Sequence, residues 1–318
     1  MKGKADIRVM LVVLGVLLVL VVGAGLLVIV VARGRGGPVE LLLRLKAGQS
    51  YAVQTDLEQE LSQTGGPMGS VKMVMAIGGD WTWHVESVDE GGNATIKVTQ
   101  DAARVSMSMP PEVDLSYDSA SASEEPPSEA RPFAALVGQS YTMKVSPQGR
   151  VLELTGVEEM LEEAVAGLGS QGVQAAMTAQ LVRGLFGEEA LKSGIEGTLG
   201  IYPPGPVRVG DSWQKDRSLS APVPLSITSL YTLKKRSGGE ATIAVEADVT
   251  AAPDSAPEEV QAPIKISGTQ KGNMQVDEAT GCISGSEVRQ TFTLSLSGPG
   301  ASGEVTGQFT ARTRMGPK

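Results

Sequence analysis

The sequence predicts a mainly β (α+β) protein. An N-terminal transmembrane helix is followed by two repeated antiparallel β halves, which form a curved sheet around a short helical segment. Three observations predict this fold: an uncharged apolar run at residues 9–32, repeated apolar–polar alternation after residue 50, and one amphipathic stretch at residues 157–168. Alternation with a period of two is typical of antiparallel strands with one buried face, whereas spacings of three and four indicate a helix.

The apolar run is long enough to cross a membrane. Its 24 residues from Val9 to Ala32 would span about 36 Å as a helix, against a hydrocarbon core of about 30 Å. A cleavable signal usually has a shorter apolar region of about 7–15 residues. We therefore expect an uncleaved anchor, with cleavage near Gly23-Ala24-Gly25 as the alternative. Three basic residues precede the run and two follow it, which favours a cytoplasmic N-terminus and a single-pass protein of the cell membrane.

The rest of the chain is acidic. Residues 1–35 hold five basic side chains and one acid, so 22 basic and 35 acidic side chains remain, a net charge of about −13. Such a domain repels phosphate backbones, which argues against nucleic-acid binding. The single cysteine, Cys282, excludes an intramolecular disulfide. We expect two parts: residues 1–37 as tail, anchor and linker, and residues 38–318 as an extracytoplasmic β-rich domain.

Strands and helices follow from the periodicity. Alternation predicts strands at residues 51–61, 71–77, 94–98, 241–249 and 291–296, separated by Gly-rich and Asp-rich turns. Helices are expected at residues 157–168, 173–185 and 188–199, before a proline-rich stop at residues 203–206. Two segments rich in Ser, Glu, Ala and Pro, residues 110–132 and 251–263, are expected to be loosely ordered loops.

Three motifs recur in the same order, which predicts an internal duplication. The halves would be residues 38–155 and 203–318, with a helical insert at residues 156–202. The paired motifs are Gly48-Gln49-Ser50-Tyr51 with Gly210-Asp211-Ser212-Trp213, residues 91–96 with 238–243, and residues 141–151 with 272–283.

These same motifs carry a resemblance. The segment Val207–Trp213, the leading Gly48–Tyr51 and the hairpin Asp277–Gly281 are similar to those of a family of uncharacterised bacterial envelope proteins that has a domain of unknown function. The resemblance covers most of Val39 to Met315 and implies no activity and no catalytic residues. A curved antiparallel sheet cupping helices is also similar in architecture to periplasmic lipoprotein carriers, a likeness of shape alone.

Residues for catalysis are few. His84 is the only histidine, and its place in an alternating strand predicts a solvent-facing position. Cys282 follows a turn glycine and is expected to fill core space. The glutamates at 158, 159, 162 and 163 indicate the solvated face of a helix rather than a carboxylate metal site. The segment Asp277–Gly281 indicates a hairpin turn rather than a calcium loop. We therefore predict a non-enzymatic protein with no catalytic residues, cofactor or metal.

Methionines suggest a different kind of site. Strand alternation places Met73 with Met75, and Met107 with Met109, on one sheet face. Such pairs can bind Cu(I), but methionine more often fills irregular apolar space, and flexible methionines can also line a cavity for an apolar ligand. We expect the pairs to face inward and form an apolar pocket with the central helices; the predicted lining is Met73, Met75, Met107, Met109, Met160, Leu161, Val165 and Leu181.

Two functions remain open from sequence. In the first, the cupped sheet binds a lipid or another apolar ligand. In the second, the helices fill the cup, and the domain is a structural or protein-interaction module of the cell envelope without a small-molecule ligand. The two hypotheses differ in whether the sheet encloses an empty apolar cavity.

Overall fold

The computed structural model describes residues 37–64, 71–109, 113–121, 125–127, 130–167, 183–184, 186–219, 225–251, 264–298 and 301–318. The predicted membrane span at residues 9–32 lies outside the described residues, as does most of the helix predicted at 173–185. None of the helices within the described ranges combines the length and apolar character needed to cross a membrane.

The mainly β, antiparallel character is confirmed. The strands are β1 Ser50–Thr64, β2 Val71–Val88, β3 Ala94–Met109, β4 Val113–Asp118, β5 Ser140–Val145, β6 Val151–Thr155, β7 Ser212–Leu219, β8 Leu225–Ser237, β9 Glu240–Ala251, β10 Ile264–Asp277, β11 Ile283–Gly298 and β12 Ala301–Pro317. The helices are α1 Arg131–Ala134, α2 Val157–Gly167 and α3 Glu188–Leu199. Helices α2 and α3 confirm two of the predicted helices.

All twelve strands form one sheet in the order β6-β5-β3-β2-β1-β12-β11-β10-β9-β8-β7, with β4 paired to β3. The long pairing of β1 with β12 joins the two ends of the domain in the middle of the sheet. The strands bury alternate side chains on one face, which we call the inner face, and leave the intervening ones more exposed.

The sheet is curled, because helix α3 contacts strands from both of its ends. The backbone N–H of Val151 in β6 donates to Glu196 Oε1 at 2.9 Å, and Arg217 Nη1 in β7 donates to the carbonyl of Ser193 at 3.3 Å. In a flat sheet these end strands would lie about 50 Å apart, whereas a helix of this length measures only about 18 Å. Helix α3 therefore bridges the gap between the two edges.

The segment before β1, residues 39–45, packs into one end of the curled sheet. Leu41, Leu43 and Leu45 alternate into the core, and Val39 pairs with Val207, which lies just before β7. The backbone N–H of Leu43 donates to Pro147 and that of Arg44 donates to Thr280, each in a turn between two strands. These contacts tie the leading chain to turns from both halves of the sheet.

The two halves repeat their local contacts. In each half, the N–H of a glycine just before the first strand donates to the carbonyl of one residue in the second strand. The N–H of that same residue donates back to the carbonyl of the residue after the glycine. The distances are 2.8 Å for Gly48 to Val85, 2.9 Å for Val85 to Gln49, 2.8 Å for Gly210 to Leu233 and 3.0 Å for Leu233 to Asp211. Tyr51 and Trp213 follow these turns, and both are buried on the inner face.

One expectation from the sequence is wrong in part. The composition of residues 110–132 predicts a loosely ordered loop, but β4 pairs along its length with β3 from Arg104 to Met109. Val113, Leu115 and Tyr117 alternate with polar residues inside this segment, and Leu115 is buried against Val105 and Ala130. A short apolar alternation is therefore enough to add a strand where β3 offers an open edge.

Candidate ligand-binding cavity

The cavity lies between helix α3 and the inner face. Helix α3 begins after Gly187, carries Glu188 and Glu189 in its first turn, where the helix dipole favours acids, and ends before Gly200. Its side chains toward the sheet recur at helical spacing, and each is only partly buried; they are Ala190, Leu191, Gly194, Ile195 and Thr198. Gly197 and Leu199, at the end of the helix, also line the cavity but are buried. Most of the helix therefore stands off from the sheet, and its last turn packs onto it.

The floor of the cavity is the inner face of the central strands. Neighbouring residues of β1, β2 and β12 supply it, in register with one another: Val53, Leu57, Ile77, Trp81, Trp83, Ala311 and Met315. The Trp81 ring lies over Gly79, where a Cβ atom would overlap it. Glycine at this position thus lets a large ring lie flat along the strand, and Trp81 remains only partly buried at the cavity wall.

An aromatic pair lies at the edge of the cavity. The rings of Phe133 in α1 and Phe186, one residue before the α3 N-cap, meet edge to face with centroids 6.1 Å apart and planes at 84°. Both side chains line the cavity. The pair links α1 to the start of α3, and edge-to-face contacts of this kind stabilise by about 0.5–1.5 kcal/mol beyond area burial.

The cavity has a volume of about 300 Å³, is partly enclosed and has a mostly apolar lining. Its neutral polar groups are dispersed, and include Thr55, Gln100, Gln139 and Thr313. Two charged residues also line it, Asp56 and Arg312, and each forms an ion pair. Burial raises the pKa of Tyr141, another lining residue, so its phenol is neutral at ordinary pH. The volume falls at the lower end of the range of about 300–1,000 Å³ for small-molecule sites, whose walls are also mainly apolar with a few polar groups.

The single histidine and the single cysteine of the chain lie outside the cavity lining. His84 is exposed on the outer face, where its Nδ1 lies 3.0 Å from Ser50 Oγ. Burial raises the pKa of the Cys282 thiol to about 11, which keeps it protonated. Among the described side chains, no group of three or more His, Cys, Asp or Glu is placed to hold a metal ion.

Of the residues predicted to line a pocket, Met160 does so. Met73, Met75, Met107 and Met109 lie on the inner face farther along their strands, and Met75 is directly opposite Met107. Met73 and Met75 are buried, and the other two pack against the apolar core. Leu161 and Val165 belong to the core around α2, and Leu181 lies outside the described residues.

Sequence reasoning misses most of the lining. The alternating pattern places Trp81, Trp83 and Tyr141 in strands without indicating a cavity, and Phe133 follows directly after a segment predicted to be loose. One signal is available in the sequence: the spacing of Ala190, Leu191, Ile195 and Thr198 marks an apolar helix face. No such signal tells which sheet residues that face will meet.

The model of a family described only as a family of unknown function, DUF6263, matches residues 91–283, more than half of the chain. No curated protein matches. A solved structure concerned with lipid–protein interactions in lipovitellin superposes with a TM-score of 0.47 and 10% identity over 86% of this chain, which spans only 26% of that chain. An outer membrane channel from Pseudomonas putida F1 gives a TM-score of 0.22 and 7% identity over 86% of this chain and 97% of the other. Both likenesses are too remote to bear on function.

Proposed function

The chain belongs to the family of unknown function DUF6263, and we propose that this protein is a membrane-anchored, non-enzymatic protein that binds a lipid or another apolar ligand beneath helix α3. The observation that carries the proposal is the apolar cavity of about 300 Å³ between α3 and the inner face. An engineered apolar cavity of about 150 Å³, half the volume of this one, holds one benzene molecule. By that measure this cavity suits one acyl chain of about 12 carbons.

The partial exposure of the α3 stripe supports the same function. Leu191 and Ile195 pack against the apolar core, yet each keeps accessible surface toward the cavity. A ligand chain that covers this surface gains about 25 cal/mol for each Å² of apolar area removed from water. The helix also contacts both edges of the sheet, so the cavity is largely formed before a ligand enters.

A non-enzymatic role is supported by the setting of the only histidine. The hydrogen bond between Ser50 and His84 has a counterpart in the second half, where Ser212 Oγ lies 2.9 Å from Thr232 Oγ1. The same cross-strand contact therefore forms without an imidazole. A strand-linking role accounts for Ser50 and His84, and the protonated Cys282 thiol is a poor nucleophile.

The anchor is part of the proposal. Residues 9–32 would cross the membrane with the N-terminus cytoplasmic, so that residues 38–318 lie outside the cytoplasm. We expect the protein extracted from membranes to retain its N-terminus, because the apolar run lacks a favourable cleavage site. Intact-mass analysis tests this. A mature chain that starts between Gly25 and Gly37 would contradict it.

Ligand binding can be tested by filling the cavity. We expect a dodecane carrying a diazirine to label cavity peptides of the full-length protein in amphipol. Ala190→Trp should reduce that labelling at least about tenfold, an effect of about 1.4 kcal/mol, since a bulky ring would occupy the space. Lys192→Trp is the matched control, because Lys192 is exposed on the same helix, and it should leave labelling unchanged. Peptide mapping separates cavity labelling from labelling of residues 9–32.

The alternative function predicts a different result. If the domain is a structural or protein-interaction module without a ligand, the hydrocarbon probe should label only residues 9–32. Cavity labelling that is weak, unsaturable and equal in the two tryptophan variants would likewise contradict ligand binding.

A further inference from the structure

A row of polar side chains crosses the inner face next to the cavity. Strand register places Gln290 of β11 opposite Gln270 of β10, and Ser229 of β8 lies in the same row, across Ala247 of β9. All three polar side chains are buried: Gln270 and Gln290 are 1% exposed and Ser229 is 4% exposed. A buried row of amides is unusual on an otherwise apolar sheet face, since each polar group must find a hydrogen-bond partner.

The amide nitrogen of Gln290 in this row is unsatisfied within the described part of the chain. Gln270 Nε2 donates to Gln290 Oε1, which uses the acceptor of Gln290. The Gln290 Nε2 group has no acceptor among the residues that the structure describes. An unpaired buried donor of this kind destabilises the fold, so a ligand oxygen that accepts from it would recover part of that loss on binding.

The unsatisfied donor lies close to the cavity. Ala311, a cavity residue, pairs directly with Val288, and Gln290 is the next inner-face residue of β11. Diagonal neighbours of this kind on adjacent strands are about 7–8 Å apart. Gln290 is not itself part of the lining, and its amide contacts Gln270. A chain bound in the cavity therefore meets this donor when the flexible glutamine side chain turns toward Ala311.

The surroundings of Gln290 favour an uncharged group. Within the described strands, the same row reaches a cation only at Lys215 in β7, four strands away, or about 19 Å at ordinary strand spacing. The nearest cation in the cavity lining, Arg312, is already paired with Glu58 and Glu287. A carboxylate at Gln290 would thus lose its hydration without a free opposite charge, which is far more costly than burying a neutral carbonyl. A neutral carbonyl oxygen needs only the single donor that Gln290 offers.

From these observations we infer that Gln290 is a head-group subsite, which donates a hydrogen bond to the carbonyl oxygen of an acyl ester or amide whose hydrocarbon chain lies beneath α3. This inference rests on the proposed function, because it requires the cavity to hold an apolar chain. It adds a ligand class, single-chain neutral acyl compounds, and a residue that selects them.

Competition against the diazirine probe tests the subsite in the full-length protein. We expect methyl dodecanoate to displace the probe about tenfold better than dodecane or dodecanoate, which is the effect of about 1.4 kcal/mol. Gln290→Met keeps a long unbranched side chain and should abolish the preference for the ester, with displacement by dodecane unchanged. Gln308→Met is the matched control, since Gln308 is exposed on the outer face of β12, and it should keep the preference.

Gln290→Met alone removes the acceptor of the Gln270 amide and can lower stability for that reason. The double variant Gln270→Met/Gln290→Met controls for this loss, because it removes both amides of the pair. It should also bind dodecane and lose the ester preference. If dodecane and ester displace the probe equally well from the parent, or if the preference survives in either Gln290 variant, the subsite is wrong while the cavity function stands. If the probe does not label the cavity, the proposed function fails with it.

Discussion

Trp213→Ala should lower the free energy of unfolding by about 3–5 kcal/mol. The indole is 6% exposed, stacks on Tyr231 with ring centroids 5.8 Å apart, and donates from Nε1 to the Ile201 carbonyl at 2.7 Å. Truncation therefore leaves a cavity, removes an aromatic contact and removes the hydrogen bond that the indole donates to the Ile201 carbonyl. Denaturant unfolding of the parent and the variant measures the difference.

Two further variants separate the causes. Trp213→Phe keeps a ring against Tyr231 but removes the donor to Ile201, so it should cost about 1–2 kcal/mol. Gln214→Ala, at the next and exposed position of the same strand, should change stability by no more than about 0.5 kcal/mol. A Trp213→Ala protein as stable as the parent would show that this ring does not support the core.

Gly149→Ala and Gly281→Ala should each cost about 3–5 kcal/mol, as the sum of backbone strain and steric overlap. Both glycines have positive φ angles, +74° and +75°, in turns that precede β6 and β11. A Cβ atom at Gly149 would overlap the carbonyl oxygen of Leu199, and one at Gly281 would overlap that of Leu42. Because the neighbouring atoms are backbone, they cannot move aside cheaply.

Gly238 supplies the matched control. Its φ is also positive, at +63°, but a methyl group at this position would have no neighbouring atom within 4 Å among the described residues. Gly238→Ala should therefore cost only the conformational strain, about 1 kcal/mol. Thermal and denaturant unfolding of the three variants compare the two effects, and equal losses in all three would refute the close packing of the chain segments against the turns.

These glycines also relate the two halves of the chain. Residues just before β1 pack on the turn of the second half at Gly281, and residues just before β7 pack on the turn of the first half at Gly149. The equivalence of Gly48-Gln49-Ser50-Tyr51 and Gly210-Asp211-Ser212-Trp213 in the sequence thus corresponds to equivalent turns and buried rings. The reciprocal packing cannot be read from those motifs, because it joins segments that are far apart in the chain.

Local features of the fold follow from sequence because their physical cause is local. Apolar–polar alternation places every second side chain on one face of a strand, so β1, β3 and β9 can be predicted without knowing their partners. Helix α3 is predicted for the same reason, from its apolar spacing and the prolines after it. The strand β4 escapes prediction because the Ser- and Glu-rich composition around it masks a short alternation.

The sequence by itself determined five of the strands (β1, β2, β3, β9 and β11), two of the helices, the acidic character of the domain and its membership in a family of unknown function. Only the tertiary structure decided that α3 bridges β6 and β7, that Trp81 and Ile195 line one cavity, and that Gln290 lies beside it. The physical reason is that curvature and strand order depend on contacts between distant segments, such as β1 with β12. Alternation tells which face a side chain is on, but the side chains that share a cavity are chosen by how the whole sheet closes.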